Sequence, residues 1–457
     1  MAGIGFELRR ILKKDRLTSL VQVYGYSAVL SSGPWVISII TILLVGFVNI
    51  QSVGTMRHVV QFQVVVTYAV ALSSSLIITG FVQLPFTRYV ADLIFADHED
   101  KILSGYFGTI FVTWLCGIPF IIILAYFAFP NQSAIFKLNV VGIFLVLCGV
   151  WISNILAASL KFYKEVVLSY ASSYALILLC SYFAEDNMEL LLFIFLFGNS
   201  MLFIFLMSLI VKSYKSPQFM DFDFFTDKKF YYEIGFAGLF YNLGTWIDKF
   251  IFWYHPMTGY NVIGKVNASV VYDLPMFLAY LSIIPGMAVF FFRLEADFSD
   301  KYDKFYDSVR DGGTFSAIEH YRNQMVDTIR NAIRELFVIQ GGLDVLLFLS
   351  APYIFEKINI PKLYIGLFYV LAIGAMLQLC FMSILAILYY LDRKKEAMKL
   401  CIMFFVLNAI LSYISIYLGP SMFGYGYAVS LLIMFLMSLV TMRRVMDLLD
   451  YETFMLQ

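Results

Sequence analysis

Apolar stretches of twenty or more residues recur along almost the whole chain, separated by short polar breaks. A helix needs ~20 mostly apolar residues to cross a bilayer. That ruler places spans near 26–49, 62–86, 104–129, 138–160, 165–184, 190–211, 231–254, 273–292, 335–355, 364–390, 400–418 and 424–442. The fourth and fifth spans, and the eleventh and twelfth, are joined by loops so short that each pair is expected to be an antiparallel hairpin. The first apolar run opens only after Tyr24 and is too long for a signal-peptide core, with no small-residue cleavage site, so it is expected to stay in place. The fold class this predicts is an all-α polytopic membrane protein of about twelve transmembrane helices.

Basic residues orient the spans, because cytoplasmic loops of membrane proteins concentrate Lys and Arg. With the N-terminus inside, the outward loops hold only Arg57, Lys137, Lys265, Lys357 and Lys362 of the 32 basic residues, and Lys249 lies within a span. The expected location is therefore the cytoplasmic (inner) membrane, multi-pass, with both termini cytoplasmic. In 1–24, Ile4, Leu8, Ile11, Leu12 and Leu17 alternate with Arg9, Arg10, Lys13, Lys14 and Arg16. This is the pattern of a basic amphipathic helix on an anionic leaflet, and it serves equally as a docking element or as a simple topogenic anchor.

The polar linker 212–230 divides the spans into two sets of six, 25–211 and 231–446, followed by a tail at 447–457. An even count per set starts both from the same membrane side, which makes the repeats parallel. Gly33-Pro34-Trp35-Val36 in the first span aligns with Gly244-Thr245-Trp246-Ile247 in the seventh. Two six-helix bundles facing each other across a cavity is the expected architecture. Residues 293–334 form the longest polar stretch, which Asp311-Gly312-Gly313 is expected to break into two cytoplasmic helices. Tyr302, Phe305, Tyr306 and Phe315 are their expected apolar contacts. The stretch is large enough to dock a partner and too small to fold as an enzyme.

Composition narrows the function. Only 14% of residues are charged and 61% are hydrophobic, against ~25% and ~45–50% in soluble domains, so lipid is the main solvent. A net charge of zero gives no pull on nucleic acid. The five cysteines lie in apolar stretches without CxxC spacing and the four histidines are scattered, so neither a metal site nor a cofactor is expected. Asp221-Phe222-Asp223 fits the short DxD metal pattern of glycosyltransferases, but no nucleotide-binding domain surrounds it. No GxxxxGK[ST] phosphate loop is present. No catalytic residues are assigned.

Ionisable groups inside a span cost roughly 2.5–3.5 kcal/mol on insertion scales, so each needs a reason. Asp248 and Lys249 in the seventh span are the clearest pair. Adjacent helical side chains leave the axis about 100° apart, so these two are expected to face different surroundings, with Asp273 a candidate partner for Lys249. Gly235, Gly238, Asn242, Thr245 and Lys249 form one small-and-polar stripe, expected to line a cavity, with Trp246 beside it and Trp35 at the equivalent place in the first span. Asp344 is the other isolated carboxylate. These residues read either as a substrate or coupling-ion pathway or as structural ion pairs between spans. Gly33-Pro34 and Pro285-Gly286 interrupt helical hydrogen bonding and read as hinges or as packed kinks. The 31 Tyr and 46 Phe could stack on sugar rings, although most will face lipid or core.

Gly3-Ile4-Gly5-Phe6-Glu7-Leu8-Arg9-Arg10, Ser31-Ser32-Gly33-Pro34-Trp35 and Gly244-Thr245-Trp246-Ile247-Asp248-Lys249 resemble the PelG family of Pel exopolysaccharide inner-membrane transporters over essentially the whole chain. That family sits in the multidrug/oligosaccharidyl-lipid/polysaccharide flippase superfamily. The resemblance implies two six-helix bundles and export of an amino-sugar-rich glycan. It also implies a cytosolic glycosyltransferase, a cyclic-di-GMP-responsive membrane regulator and a scaffolding membrane protein as partners. The superfamily's drug-efflux branch often carries an acidic coupling residue in the first span, and here none lies between Gln22 and Asn49. Two further functions fit the same fold: an ion-coupled multidrug exporter, and a non-transporting membrane scaffold for a polysaccharide synthase.

Overall fold

A computed structural model of the chain describes residues 27, 36–45, 56–70, 75–159, 163–184, 187–226, 230–357 and 361–455. The amphipathic segment 1–24 and the residues Gly33, Pro34 and Trp35 lie outside them. The described chain is almost wholly helical, because in lipid a helix satisfies its own backbone hydrogen bonds.

The helices are α1 (Val36–Val45), α2 (Met56–Val70), α3 (Ser75–Phe95), α4 (Ile102–Ala128), α5 (Ala134–Ser159), α6 (Tyr163–Ser181), α7 (Met188–Ser213) and α8 (Tyr232–Tyr254). A short hairpin follows, β1 (Tyr260–Ile263) with β2 (Val266–Ala268). Then come α9 (Val270–Ser282), α10 (Ile284–Phe292), a π-helical turn (Arg293–Phe298), α11 (Ser299–Arg310), α12 (Phe315–Lys357), α13 (Ile365–Tyr390), α14 (Lys394–Tyr417) and α15 (Tyr425–Met455). Among the described residues nine helical segments are long and apolar enough to cross a membrane. They coincide with nine of the expected spans. Of the other three, the first is represented by α1, the second falls on α2 and α3, and the seventh is α8. At 23 residues α8 has the length of a span, but Asn242, Asp248 and Lys249 dilute its apolarity.

The chain forms two compact units that divide between Ser269 and Val270, not in the linker 212–230. In the first unit, α3 and α8 pack through glycines, as described below, so α8 joins the helices that precede it. Its core is a continuous apolar cluster from Val45 to Val266 with Phe62, Phe86, Tyr106, Phe144 and Phe195 almost fully buried. The linker is packed against this unit. The Asp221 amide donates to the Ser104 carbonyl at 3.1 Å, and a Cβ on Gly108 would come within 2.0 Å of the Asp221 carbonyl. Phe224 is buried edge-on to Phe86 and beside Phe230. The DxD carboxylates do local work: Asp221 accepts the Asp223 amide at 3.0 Å, and Asp223 faces Lys101 at 3.6 Å.

In the second unit the expected break at Asp311-Gly312-Gly313 is present. Gly312 has φ +70° and the Gly313 amide donates to the Ser308 carbonyl at 2.8 Å. The helix that follows differs from the expectation. It does not end before the ninth span but runs on as α12, 43 residues without interruption, since no residue from Phe315 to Ala351 forbids helix. Phe298, Tyr302 and Tyr306 stack in succession, the first two against Tyr390. Phe305 is buried, while Phe315 is exposed.

Candidate functional site

In α8 the sequence places a carboxylate directly before a lysine, and both side chains are out of solvent: Asp248 is 0% and Lys249 5% exposed. They are partners. Lys249 Nζ lies 3.2 Å from Asp248 Oδ1 and 3.3 Å from Oδ2, and donates to the Thr245 carbonyl at 2.7 Å. This corrects the expectation that adjacent residues must face apart. The Cα–Cβ bonds do diverge, but the four methylenes of lysine let its head fold back around the helix. The ammonium also sits 5.4 Å from the Trp246 ring centroid, within cation–π range.

The small-and-polar stripe beside the pair is a packing seam over its glycine part, where a cavity wall was expected. A Cβ on Gly238 would lie 2.2 Å from the Gly80 carbonyl, and one on Gly235 would lie 2.8 Å from that of Phe81. Small residues allow such close backbone approach between membrane helices. Asn242 crosses the same seam, donating to the Leu76 carbonyl at 3.1 Å, and Thr245 bonds back to the Asn242 carbonyl at 2.8 Å.

On another face of α8, Trp246, Phe250 and Trp253 make an aromatic ladder, with Trp253 stacked on Tyr68 of α2 at 4.7 Å. Tyr68 donates to the Asn267 carbonyl of β2 at 2.7 Å and lies 3.4 Å from the Tyr254 hydroxyl. The ladder thus leads from the ion pair to a cavity of about 250 Å³ at the end of α4, lined by Tyr68, Tyr254, Phe129 and Lys265. Sequence reasoning missed Trp253, Tyr254 and Tyr68. The signal was the i, i+4, i+7 aromatic spacing at 246, 250 and 253.

The hairpin that closes this end was also missed. Its mark is a two-residue Gly-Lys turn between two short alternating runs. Gly264 has φ +60°, and a Cβ there would come within 2.3 Å of the Ala128 carbonyl, which accepts the Lys265 amide at 2.8 Å. Gly264→Ala is expected to cost ~1–2 kcal/mol from the left-handed backbone alone, and more from the contact. Lys265→Ala keeps the backbone bond and should leave thermal unfolding of the purified protein unchanged, which makes it the control.

Asp344 belongs to a separate group. It is 3% exposed on α12, and its Oδ1 accepts the Gln340 side-chain amide at 2.8 Å. Gln340 also donates to the Ser282 carbonyl at 3.0 Å and accepts the Gly286 amide at 3.2 Å. Pro285 and Gly286 therefore mark a real interruption, between α9 and α10, and Gln340 spans it. Asp248, Lys249, Asn242, Thr245 and Trp246 come together in the first unit; Asp344, Pro285 and Gly286 come together in the second.

Charges outside the spans are networked. Arg293 pairs with Glu335 and Asp297. Burial works against its charge, but the two carboxylates outweigh it and raise its pKa above the usual guanidinium value. Arg322 pairs with Asp450, and Arg393 with Glu452. Tyr231, at the start of the seventh span, donates to Asp92 at 2.6 Å.

The sequence profile of the PelG exopolysaccharide exporters (EPS-E) matches residues 1–454. This chain belongs to that family. No curated protein is similar to it in sequence. Among solved structures, it resembles a MOP superfamily transporter from Pyrococcus furiosus with TM-score 0.64 and 12% identity, covering 93% of this chain and 96% of that one. An outward-facing multidrug resistance MATE family transporter matches with TM-score 0.62, 14% identity and the same coverages. The inward-facing form of a MATE family transporter matches with TM-score 0.59, 10% identity and coverages of 93% and 95%. At such identities the likeness shows the fold, which is that of a MOP transporter. The chain is thus a multi-pass membrane protein from a family of exporters, not of enzymes.

Proposed function

We propose that the protein moves a Pel-type, amino-sugar-rich exopolysaccharide across the cytoplasmic membrane, as the membrane-spanning member of a synthase and export complex. The carrying observation is the PelG match over residues 1–454. On this reading the chain has about twelve spans in two parallel sets, both termini lie in the cytoplasm, and the paired helices α11 and α12 meet a cytosolic glycosyltransferase or its cyclic-di-GMP-responsive regulator.

The aromatic ladder of α8 supports a glycan substrate. Trp and Tyr rings offer apolar faces to sugar rings while their polar edges bond hydroxyls. Asp248 is a carboxylate that an amino sugar could meet on its path, with Lys249, Asn242, Thr245 and Trp246 around it and Trp35 at the equivalent position of the first span. Removing the chain should abolish secreted polymer. At matched membrane levels, Trp246→Leu is expected to lower secretion about tenfold, the equivalent of ~1.4 kcal/mol lost from a stacking contact. Undiminished secretion by cells lacking the chain would sink the reading. Some of the fold's neighbours are named as multidrug transporters, so the competing outcome is dye efflux from vesicles holding this chain alone, unaffected by the Trp246 replacement.

A further inference from the structure

The interruption between α9 and α10 leaves backbone groups that a continuous helix would pair. Pro285 has no amide hydrogen to offer. One side chain, Gln340, fills the gap: its amide donates to the Ser282 carbonyl at 3.0 Å, and its oxygen accepts from the Gly286 amide at 3.2 Å. Gly286 is required for this approach, since a Cβ there would lie 2.8 Å from Gln340 Oε1 and 2.6 Å from Leu379. The second hydrogen of the same amide goes to Asp344 Oδ1 at 2.8 Å. An amide has two donors, so Gln340 has none left for Asp344 Oδ2, which has no hydrogen-bond partner among the described residues.

Among the described residues no charged group pairs with the Asp344 carboxylate. The elements packed on α12 are α10, α11, α13, α15, the π-helical turn and the short turn Lys362–Tyr364, whose Lys362 pairs with Glu356, about three turns up α12 from Asp344. The runs of α10 and α13 contain no charged residue. In the turn, Arg293 pairs with both Asp297 and Glu335, and Glu335 lies about two and a half turns down α12 from Asp344. The charged residues of α11 all lie at 300–310, beyond that turn. The charged residues of α15, Arg443, Arg444, Asp447, Asp450 and Glu452, all lie beyond Phe435, which meets Phe337 of α12. Asp450 pairs with Arg322, about six turns from Asp344, Glu452 with Arg393 and Arg443 with Asp447. On α9 the one carboxylate, Asp273, is nine residues before Ser282. The titratable side chains of α13 are Cys380, Tyr389, Tyr390 and Tyr369, whose hydroxyl donates to the Phe348 carbonyl at 2.8 Å.

A buried carboxyl oxygen with no donor and no cation is costly. The structure assigns it a proton: we propose that Asp344 Oδ2 is the binding point of a coupling proton, and that Gln340 ties its loading to the α9–α10 interruption. The step is simple protonation, carboxylate plus proton giving carboxylic acid. A proton fits better than a metal cation, which would require several ligands around one point, and among the described residues no cluster of His, Cys, Asp or Glu gathers at Asp344 to supply them. When the proton leaves, the carboxylate competes with the Ser282 carbonyl for the Gln340 amide, and releasing that carbonyl lets the interruption bend.

This inference deepens the exporter reading, so the test separates the two. The full-length protein in lipid nanodiscs is titrated by infrared spectroscopy. A carboxylic-acid C=O band is expected to persist at pH values where exposed carboxylates have ionised, to vanish in Asp344→Asn and to shift in Gln340→Leu. At matched membrane levels Asp344→Asn should reduce polymer secretion at least tenfold, and Asp344→Glu should restore part of it. If wild type and Asp344→Asn give the same spectrum, Asp344 is ionised and the proposal fails. If sodium, and not pH, removes the band, the site takes a metal cation and the proton assignment fails. Full secretion by Asp344→Asn would overturn the coupling role while leaving the exporter reading intact, which stands or falls on deletion of the chain.

Discussion

Breaking the Asp248–Lys249 pair from one side, by Asp248→Asn or Lys249→Met, is expected to cost ~3–5 kcal/mol. The double replacement should cost much less than the two single costs together. A buried ion that loses its counter-charge keeps its full desolvation penalty, and removing both charges removes the penalty too. Here the penalty is severe, because Asp248 is 0% and Lys249 5% exposed. Thermal unfolding of the four purified proteins gives the coupling energy directly. Additive single effects would show that the two charges do not rely on each other.

The same double variant separates scaffold from pathway. If it accumulates in the membrane and secretes polymer as wild type does, the pair holds α8 together and touches no substrate. If it accumulates and secretes at least tenfold less, equivalent to ~1.4 kcal/mol or more, the charges act on what passes. Single variants alone cannot make this distinction, since each would lose secretion through lost protein. The placement of Lys249 under Trp246 gives the pair a route to the aromatic ladder, so an effect on transport should be shared by Trp246→Leu.

How much of this was legible beforehand depends on whether the governing property is local. Hydropathy is local: each long apolar run marks a helix that lipid forces to close its own hydrogen bonds, and nine spans follow from it directly. Asp311-Gly312-Gly313 and Pro285-Gly286 also act through their own backbone, and both breaks are where the residues put them. The Asp248–Lys249 contact was not legible, because helical geometry fixes where Cβ points and not how far a four-carbon stem can return. The glycine stripe of α8 was visible but ambiguous, since small residues suit a close-packed seam as well as a cavity, and only the presence of Gly80 opposite Gly238 decides. Gln340 gave no signal at all. Its role depends on Ser282 and Gly286, more than fifty residues away in the chain. The hairpin at 260–268 was passed over because strands of four and three residues are too short to leave a hydropathy trace.

Gly238→Ala is expected to be among the most damaging single-methyl changes in the protein, while Gly342→Ala, the same chemical change, stabilises it. In α8 the added carbon would lie 2.2 Å from the Gly80 carbonyl, and a backbone oxygen in the facing helix cannot rotate away. The helices must separate, at a cost of ~1–3 kcal/mol typical of overpacking, and more where the obstacle is rigid. Separation would also stretch the Asn242 bond to the Leu76 carbonyl, now 3.1 Å, and shift the segment that carries Asp248. At Gly342, an exposed position in α12, no atom lies within 4 Å of the added carbon. There the methyl only lowers the entropy of the unfolded chain, a gain of up to ~1 kcal/mol. Thermal unfolding of both variants against wild type gives opposite signs if α3 and α8 are in true backbone contact. Equal unfolding temperatures for the two alanines would mean that the seam has slack, and that Gly80 and Gly238 do not set the depth at which the buried ion pair is held.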